Sequence, residues 1–190
     1  MSGSHSPRLL LALLLAACFL IALPSASSAA ARAQRDDACA NTNLRPAADN
    51  LPLVRQAILC LHNRDRRANG LAPLKENANL REAAGRHSGR MVADRFFSHD
   101  SPAGTMVERI LRTGYASNSG WSLGENLAWG TGSLATAGQT HRAWMDSPGH
   151  KANILRRQYR EIGIGIAVGV PVHAGAKNGA TYTTDFGVRR

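Results

Sequence analysis

Three residues in this chain have the types and settings that chemistry requires: His99, Glu125 and His150. The stretch Ser147-Pro148-Gly149-His150-Lys151-Ala152-Asn153-Ile154-Leu155 reads as a helix start, with Ser147 as N-cap and Pro148 as first helical residue. His150 then falls in the first turn, where unpaired N–H groups and the positive end of the helix dipole disfavour imidazolium. A neutral imidazole can ligate a metal or take a proton. Phe96-Phe97-Ser98-His99-Asp100-Ser101-Pro102 presents His99 just past the end of a long helix. Gly124-Glu125-Asn126-Leu127-Ala128-Trp129 sets one acid in an apolar, strand-like run, where a buried carboxylate needs a partner or a ligand.

If the three converge, three readings stand. His99, His150 and Glu125 form a reasonable ligand set for zinc or another divalent cation, with water as fourth ligand, in a cleft that binds and does not turn over. The same set can activate that water for extracellular, peptidase-like hydrolysis, with Glu125 as base. Or the trio is a buried polar network that pins three segments together. A serine triad is disfavoured: Ser98 directly precedes His99, and the chain has no Gly-x-Ser-x-Gly elbow.

The segments Leu59-Cys60-Leu61-His62-Asn63-Arg64-Asp65-Arg66, Phe97-Ser98-His99, Gly124-Glu125-Asn126-Leu127-Ala128 and the His150 stretch occur in that order. Together they resemble the CAP superfamily of cysteine-rich secretory, antigen 5 and pathogenesis-related proteins, and within it the bacterial secreted branch. The resemblance implies an α-β-α sandwich and a cleft with two histidines and two glutamates. His99, Glu125 and His150 match three of these. The second glutamate corresponds to Ser147, so the resemblance implies an incomplete tetrad.

Residues 1–8 are short and basic, residues 9–23 apolar, and a small-residue tract follows Pro24. This reads as a secretory signal peptide over residues 1–33. Its apolar run is short of the roughly 20 residues that span a bilayer, so no transmembrane segment is expected. Leu15-Ala16-Ala17-Cys18 also resembles a lipobox, which leaves lipoprotein anchoring through Cys18 as the alternative to ordinary secretion. Removing Arg8 and Arg32 with the leader lowers the formal charge from +10 to +8. A basic exported surface suits anionic cell-wall or lipid material. Scattered arginines, few aromatics and export exclude a nucleic-acid partner. A monomer is expected.

Without Cys18 two cysteines remain, Cys39 and Cys60, and an even count in an exported chain invites a disulfide. It would tie an irregular arm, residues 34–49, to the domain that fills residues 50–190. Apolar spacing predicts a helix from Asn50 to Asn69-Gly70, with Arg64-Asp65-Arg66-Arg67 as a solvated turn. A second helix is predicted from Asn77 to Asp94 or Arg95, with His87 on its core side in a structural role and Phe96-Phe97 covering the core beyond it. Thr105-x-x-Glu108 is a capping box for a short third helix. Residues 115–121 read as a surface loop and residues 134–145 as another helix, with His141 and Trp144 on one side. Residues 161–168 alternate isoleucine with small residues, an empty face that invites close approach of a packed element. Residues 180–186 return antiparallel after a turn over 171–178. The expected class is α+β, a three-layer α-β-α sandwich with a small antiparallel sheet flanked by helices.

Overall fold

The computed structural model describes Met1 and residues 38–117, 120–172 and 178–189. The chain divides into two units, Met1–Asp36 and Asp37–Arg190. Apart from Met1, the expected signal peptide and its Cys18 lie outside the described residues, as do residues 173–177 of the expected turn. Everything below concerns the second unit.

In chain order the elements are α1 (Leu51–Ala68), β1 (Lys75–Glu76), α2 (Ala78–Ala93), α3 (Met106–Leu111), β2 (Trp121–Thr131), a 3-10 turn (Gly132–Ala135), α4 (Ala137–Asp146), α5 (Pro148–Ile154), β3 (Glu161–Val168) and β4 (Gly179–Arg189). Local chemistry sets most boundaries. Pro52 opens α1, and Gly70, at φ +64°, stops it in the left-handed region that glycine tolerates. The Asn77 side chain caps α2 by accepting from the N–H groups of Asn79 and Leu80. Thr105 and Glu108 close a reciprocal capping box on α3. The helix expected over residues 134–145 is broken at Thr136, whose backbone is extended and whose hydroxyl caps α4 as a new start.

The sheet order is β1-β3-β4-β2, with β1 a two-residue parallel addition and the other pairs antiparallel. On β3 the side chains of Ile162, Ile164 and Ile166 enter a core with Val54, Ile58 and Leu61 of α1, Trp144 of α4, Ile154 of α5 and Phe186 of β4. The opposite face carries Gly163 and Gly165. A Cβ at either would run into the α2 backbone, at Leu80 and Arg81 or at Ala84 and Gly85. That contact packs α2 against the bare face, where Leu80 and Ala83 join Ile110 of α3 and Tyr115. The result is the α-β-α sandwich, with β2 at a free edge.

Cys39 and Cys60 are bonded, with Cα atoms 5.7 Å apart, so the arm is tied to α1. A second tie is the Gly138 N–H, which donates to the Thr42 carbonyl at 2.8 Å. Three readings need correction. Tyr115, placed in a surface loop, is buried and donates its hydroxyl to Glu161 Oε2 at 2.7 Å. Phe97 does not cover the core but is exposed; Phe96 alone packs its ring against His87, centroids 5.8 Å apart. Residues 64–67 are no solvated turn: they lie within α1, and Arg66 is fully buried. Its guanidinium donates to the carbonyls of Ala72, Ile154, Arg156 and Tyr159, which gives the charge a polar lining away from water.

Candidate functional site

Glu125 sits in the middle of the edge strand β2 with its carboxyl almost wholly buried. A buried charge is stable only when partnered, and both oxygens are. Oε1 accepts from His99 Nδ1 at 2.8 Å, and Oε2 accepts from Arg109 Nη2 at 2.6 Å. Arg109 comes from α3, whose start is fixed by the capping box. Its Nη1 donates to the carbonyls of His99 at 2.6 Å and Gly104 at 3.1 Å, which holds the loop that carries His99. Burial by itself would raise the Glu125 pKa. The His99 hydrogen bond and the Arg109 charge outweigh it and hold the carboxyl below its usual range. The same hydrogen bond raises the His99 pKa against the effect of burial. With Glu125 ionised, His99 Nδ1 carries the proton of that bond, and the side chain keeps 57% of its exposure.

A second acid stands opposite. Asp185 on β4 is the register partner of Glu125 and is buried. Burial first, and then the Glu125 charge, push its pKa well above the ordinary value, so it stays protonated and donates to Glu125. Its Oδ1 has no partner among the described residues. Neither Asp185 nor Arg109 stood out in the sequence. The signal that marks Glu125, one acid in an otherwise uncharged strand, also marks Asp185 in Ala180–Phe186. His87 lies behind the same network, fully buried, its Nε2 donating to the Ser98 carbonyl at 2.9 Å.

His150 comes from the other layer. Asn126, on the opposite face of β2 from Glu125, donates to the His150 carbonyl at 3.0 Å. Asn153 bonds both Asn126 Oδ1, at 2.9 Å, and the Glu125 carbonyl, at 3.2 Å. These amides dock α5 on the sheet edge. Pro148 opens that helix as expected, but Ser147 at the cap position makes no side-chain capping bond. The His150 pKa is lowered, which agrees in direction with the expectation. The causes are burial and then the charge of His99, so the two imidazoles sense each other around the strand edge.

Residues 59–171 match the family model described as CAP: Cysteine-rich secretory protein family. The chain belongs to this family. The Bacillus subtilis (strain 168) protein YkwD is 30% identical over 120 residues, which span 63% of this chain and 44% of YkwD. An extracellular protein containing an SCP domain from Bacillus anthracis str. Ames superposes with a TM-score of 0.56 at 26% identity, covering 76% of this chain and 45% of that one. An outer surface protein from Borrelia burgdorferi shares the fold at a TM-score of 0.62 and 18% identity, with 77% of this chain and all of that one covered. The chain thus spans less than half the length of YkwD and of the B. anthracis protein. Among its described residues no helix is long and apolar enough to cross a membrane.

A divalent metal is the group that the residue types of His99, Glu125 and His150 suggest, and the side chains here answer in part. Both carboxylate oxygens of Glu125 are taken, one by His99 and one by Arg109, so Glu125 does not fit as a third ligand. It fits instead as a carboxylate that fixes the tautomer and ring orientation of His99 from behind. That leaves His99 Nε2 and the His150 imidazole as the candidate nitrogen ligands of the trio. Among the described residues no three His, Cys, Asp or Glu side chains stand where one ion could be held.

The CAP domain carries a second polar cluster that spacing left ambiguous. His141 of α4 bonds Asp65 through Nε2 at 2.7 Å and His62 through Nδ1 at 3.1 Å, both partners from α1. Burial lowers the pKa of both histidines, so the pair is neutral. The cluster locks α1 to α4 beside a polar cleft of about 380 Å³ lined by Arg64, Gln139 and Arg142.

Proposed function

We propose that this CAP domain works outside the cell as a binding module for anionic wall or lipid material, and that its His99–Glu125–Arg109 network is structural. The observation that carries the reading is the occupancy of Glu125. A general base needs an open oxygen and a pKa near the working pH. Glu125 has neither, since His99 and Arg109 take both oxygens and hold its pKa down. The formal charge of +10 supports an anionic partner, and the name of the B. anthracis relative supports an extracellular setting.

A second reading has a specific observation behind it. His99 is oriented by a buried carboxylate and lies close enough to His150 for the two charges to interact, which suits a divalent cation held by two imidazoles and water. Two measurements separate the readings. Co-sedimentation with purified cell wall and with phosphatidylglycerol vesicles is expected to retain the protein and to release it as salt rises. Loss of retention in all conditions, or release of soluble fragments from wall or protein substrates, overturns the binding-module reading. Calorimetric zinc titration of the native chain against His99→Ala and His150→Ala tests the cation: heat that disappears in both variants supports it.

A further inference from the structure

We propose that two neighbouring loops, residues 69–75 running from α1 into β1 and residues 155–160 running from α5 into β3, form a docking surface for a linear polyanion such as the anionic polymer of a cell wall. This rests on the reading of the domain as a binder of anionic material, and gives that material a surface and a form. His99, Glu125 and His150 take no part in it.

The two loops contain no acid and carry Lys75, Arg156, Arg157 and Arg160, all exposed. Lys75 donates its N–H to the Arg160 carbonyl at 2.9 Å, and the buried Arg66 bridges Ala72 of the first loop to Arg156 and Tyr159 of the second. The loops are thereby held side by side. Contacts in the second loop fix three guanidiniums around Tyr159. Arg66 Nη2 and Arg160 Nη1 donate to the same Tyr159 carbonyl, at 3.1 and 2.9 Å, and Arg156 Cζ lies 5.6 Å from the centre of its ring. Burial first, and then the charge of Arg160, lower the Arg66 pKa.

Like charges this close repel unless an anion intervenes. The carboxylates nearest in sequence are engaged elsewhere: Asp65 with Arg64 and His141, Glu76 with Arg81, and Glu161 with Arg189, Asn77 and Tyr115. Among the described residues no carboxylate pairs with Arg66, Lys75, Arg156, Arg157 or Arg160. The balancing anion has to come from outside, and the layout selects its form. Cations exposed along two loops suit a chain of charges and not one enclosed ion. No large apolar side chain of either loop is exposed, whereas membrane-surface binding grows with buried apolar area. The second loop is also set before a ligand arrives. Tyr159 donates its N–H to the Arg156 carbonyl at 3.2 Å and its hydroxyl to the Leu123 carbonyl at 2.8 Å, and the Arg160 N–H reaches the Gly187 carbonyl at 3.0 Å. Binding then has little loop ordering to oppose it.

Calorimetric titration of the whole chain with sodium polyphosphate and with poly-L-glutamate, over a series of salt concentrations, tests the proposal. Binding to at least one polymer is expected, and should weaken steeply with salt as counterions are released. Lys75→Gln/Arg157→Gln is the test variant, since neither side chain bonds within the fold among the described residues. It should weaken polymer binding about tenfold or more at low salt and make the log–log salt dependence shallower by about 1–2. Arg90→Gln/Arg95→Gln removes the same charge from exposed positions near the C-terminus of α2, and should change binding less than about threefold because distant charges are screened. A preference for polyphosphate assigns a phosphate-bearing polymer, and a preference for polyglutamate a carboxylate-bearing one. Equal losses in the two double variants overturn the surface and leave the binding-module reading standing. Retention on phosphatidylglycerol vesicles that Lys75→Gln/Arg157→Gln abolishes, with no binding to either polymer, assigns the loops to a membrane and overturns the polymer. No retention of the native chain on wall, polymer or vesicles overturns both readings.

Discussion

Glu125 and Asp185 face each other as register partners on β2 and β4, both buried, and only Glu125 is ionised. The asymmetry follows from their neighbours. Glu125 has the guanidinium of Arg109 and the ring of His99; Asp185 has the charge of Glu125 itself. Like charges at this range do not both ionise, so the proton stays on Asp185, which feels the Arg109 charge without an ion pair to it.

Asp185→Asn is therefore expected to stabilise the protein at neutral pH. An acid whose folded pKa lies above its unfolded value contributes fully below the unfolded value, about 3.9 for Asp. That contribution is lost progressively as pH rises toward the folded pKa. Asparagine keeps a donor toward Glu125 and removes this penalty. Urea midpoints for the two proteins should differ most at neutral pH and converge as pH falls through the carboxylate range. A difference independent of pH would show that Asp185 is not held protonated.

Arg109→Met should be among the most destabilising substitutions in the chain. It strips the buried Glu125 charge of its guanidinium partner and frees the loop carbonyls of His99 and Gly104. Breaking one side of such a pair costs about 3–5 kcal/mol. Adding Glu125→Gln removes the orphaned charge and should recover part of the loss. A double-mutant cycle by urea unfolding checks this; strictly additive losses would mean that the two residues do not act as a pair.

What the sequence reveals and what it hides have physical reasons. Glu125 is visible because a single acid in Gly124–Trp129 contradicts the pattern around it. Asp185 breaks its strand in the same way, but the threonines beside it make that strand look tolerant of polarity. Arg109 is hidden behind Glu108, whose capping role uses up the obvious meaning of that helix start. A helix terminus predicts a neutral His150, and it is neutral for another reason, burial and the neighbouring His99, which depend on how α5 docks. Arg66 is least legible. Four charged residues in a row look solvated, and the carbonyls that hold the guanidinium include three that lie 88, 90 and 93 positions away.

The bare face of β3 gives a prediction about packing. Gly165→Ala would place a methyl against the carbonyl of Ala84 and force α2 off the sheet, and overpacking of this kind costs about 1–3 kcal/mol or more. Gly149→Ala is the matched control. It lies in α5 with nothing within 4 Å of the added carbon, and should be neutral or stabilising by up to about 1 kcal/mol. Thermal melts of the two variants decide the matter; similar losses would mean that the clash at Gly165 is relieved without cost.

Removal of the Cys39–Cys60 bond should lower stability and leave the His99–Glu125 contact in place. The two cysteines are 21 positions apart, and closing a loop of that order stabilises by about 3 kcal/mol in the chain-entropy account. Cys39 lines the cleft beside His141, whereas His99, Arg109 and Glu125 belong to segments that the disulfide does not join. Urea unfolding of Cys39→Ser/Cys60→Ser, with NMR of the His99 ring, separates the two effects. A shifted or broadened His99 resonance would tie the network to the arm.

Arg66→Lys tests whether one buried guanidinium organises the lower end of the fold. Its N–H groups reach Ala72 after α1, Ile154 at the C-terminus of α5, and Arg156 and Tyr159 in the run to β3, at 2.8–3.1 Å. The carbonyl at the end of α5 also carries the negative end of its dipole, which favours a cation there. Lysine keeps the charge but offers three donors on a single nitrogen, so it cannot hold carbonyls spread around a planar fork. The Arg156 and Tyr159 carbonyls keep other donors, the Tyr159 N–H and Arg160 Nη1, so the damage falls on the Ala72 and Ile154 carbonyls, which sit on different nitrogens of the fork, and the expected loss is about 1–3 kcal/mol. Because α5 carries His150, the damage should also reach the site. Amide hydrogen exchange should show α5 opening more readily while α2 stays protected; a uniform loss across both helices would mean that Arg66 supports the whole core and not this junction.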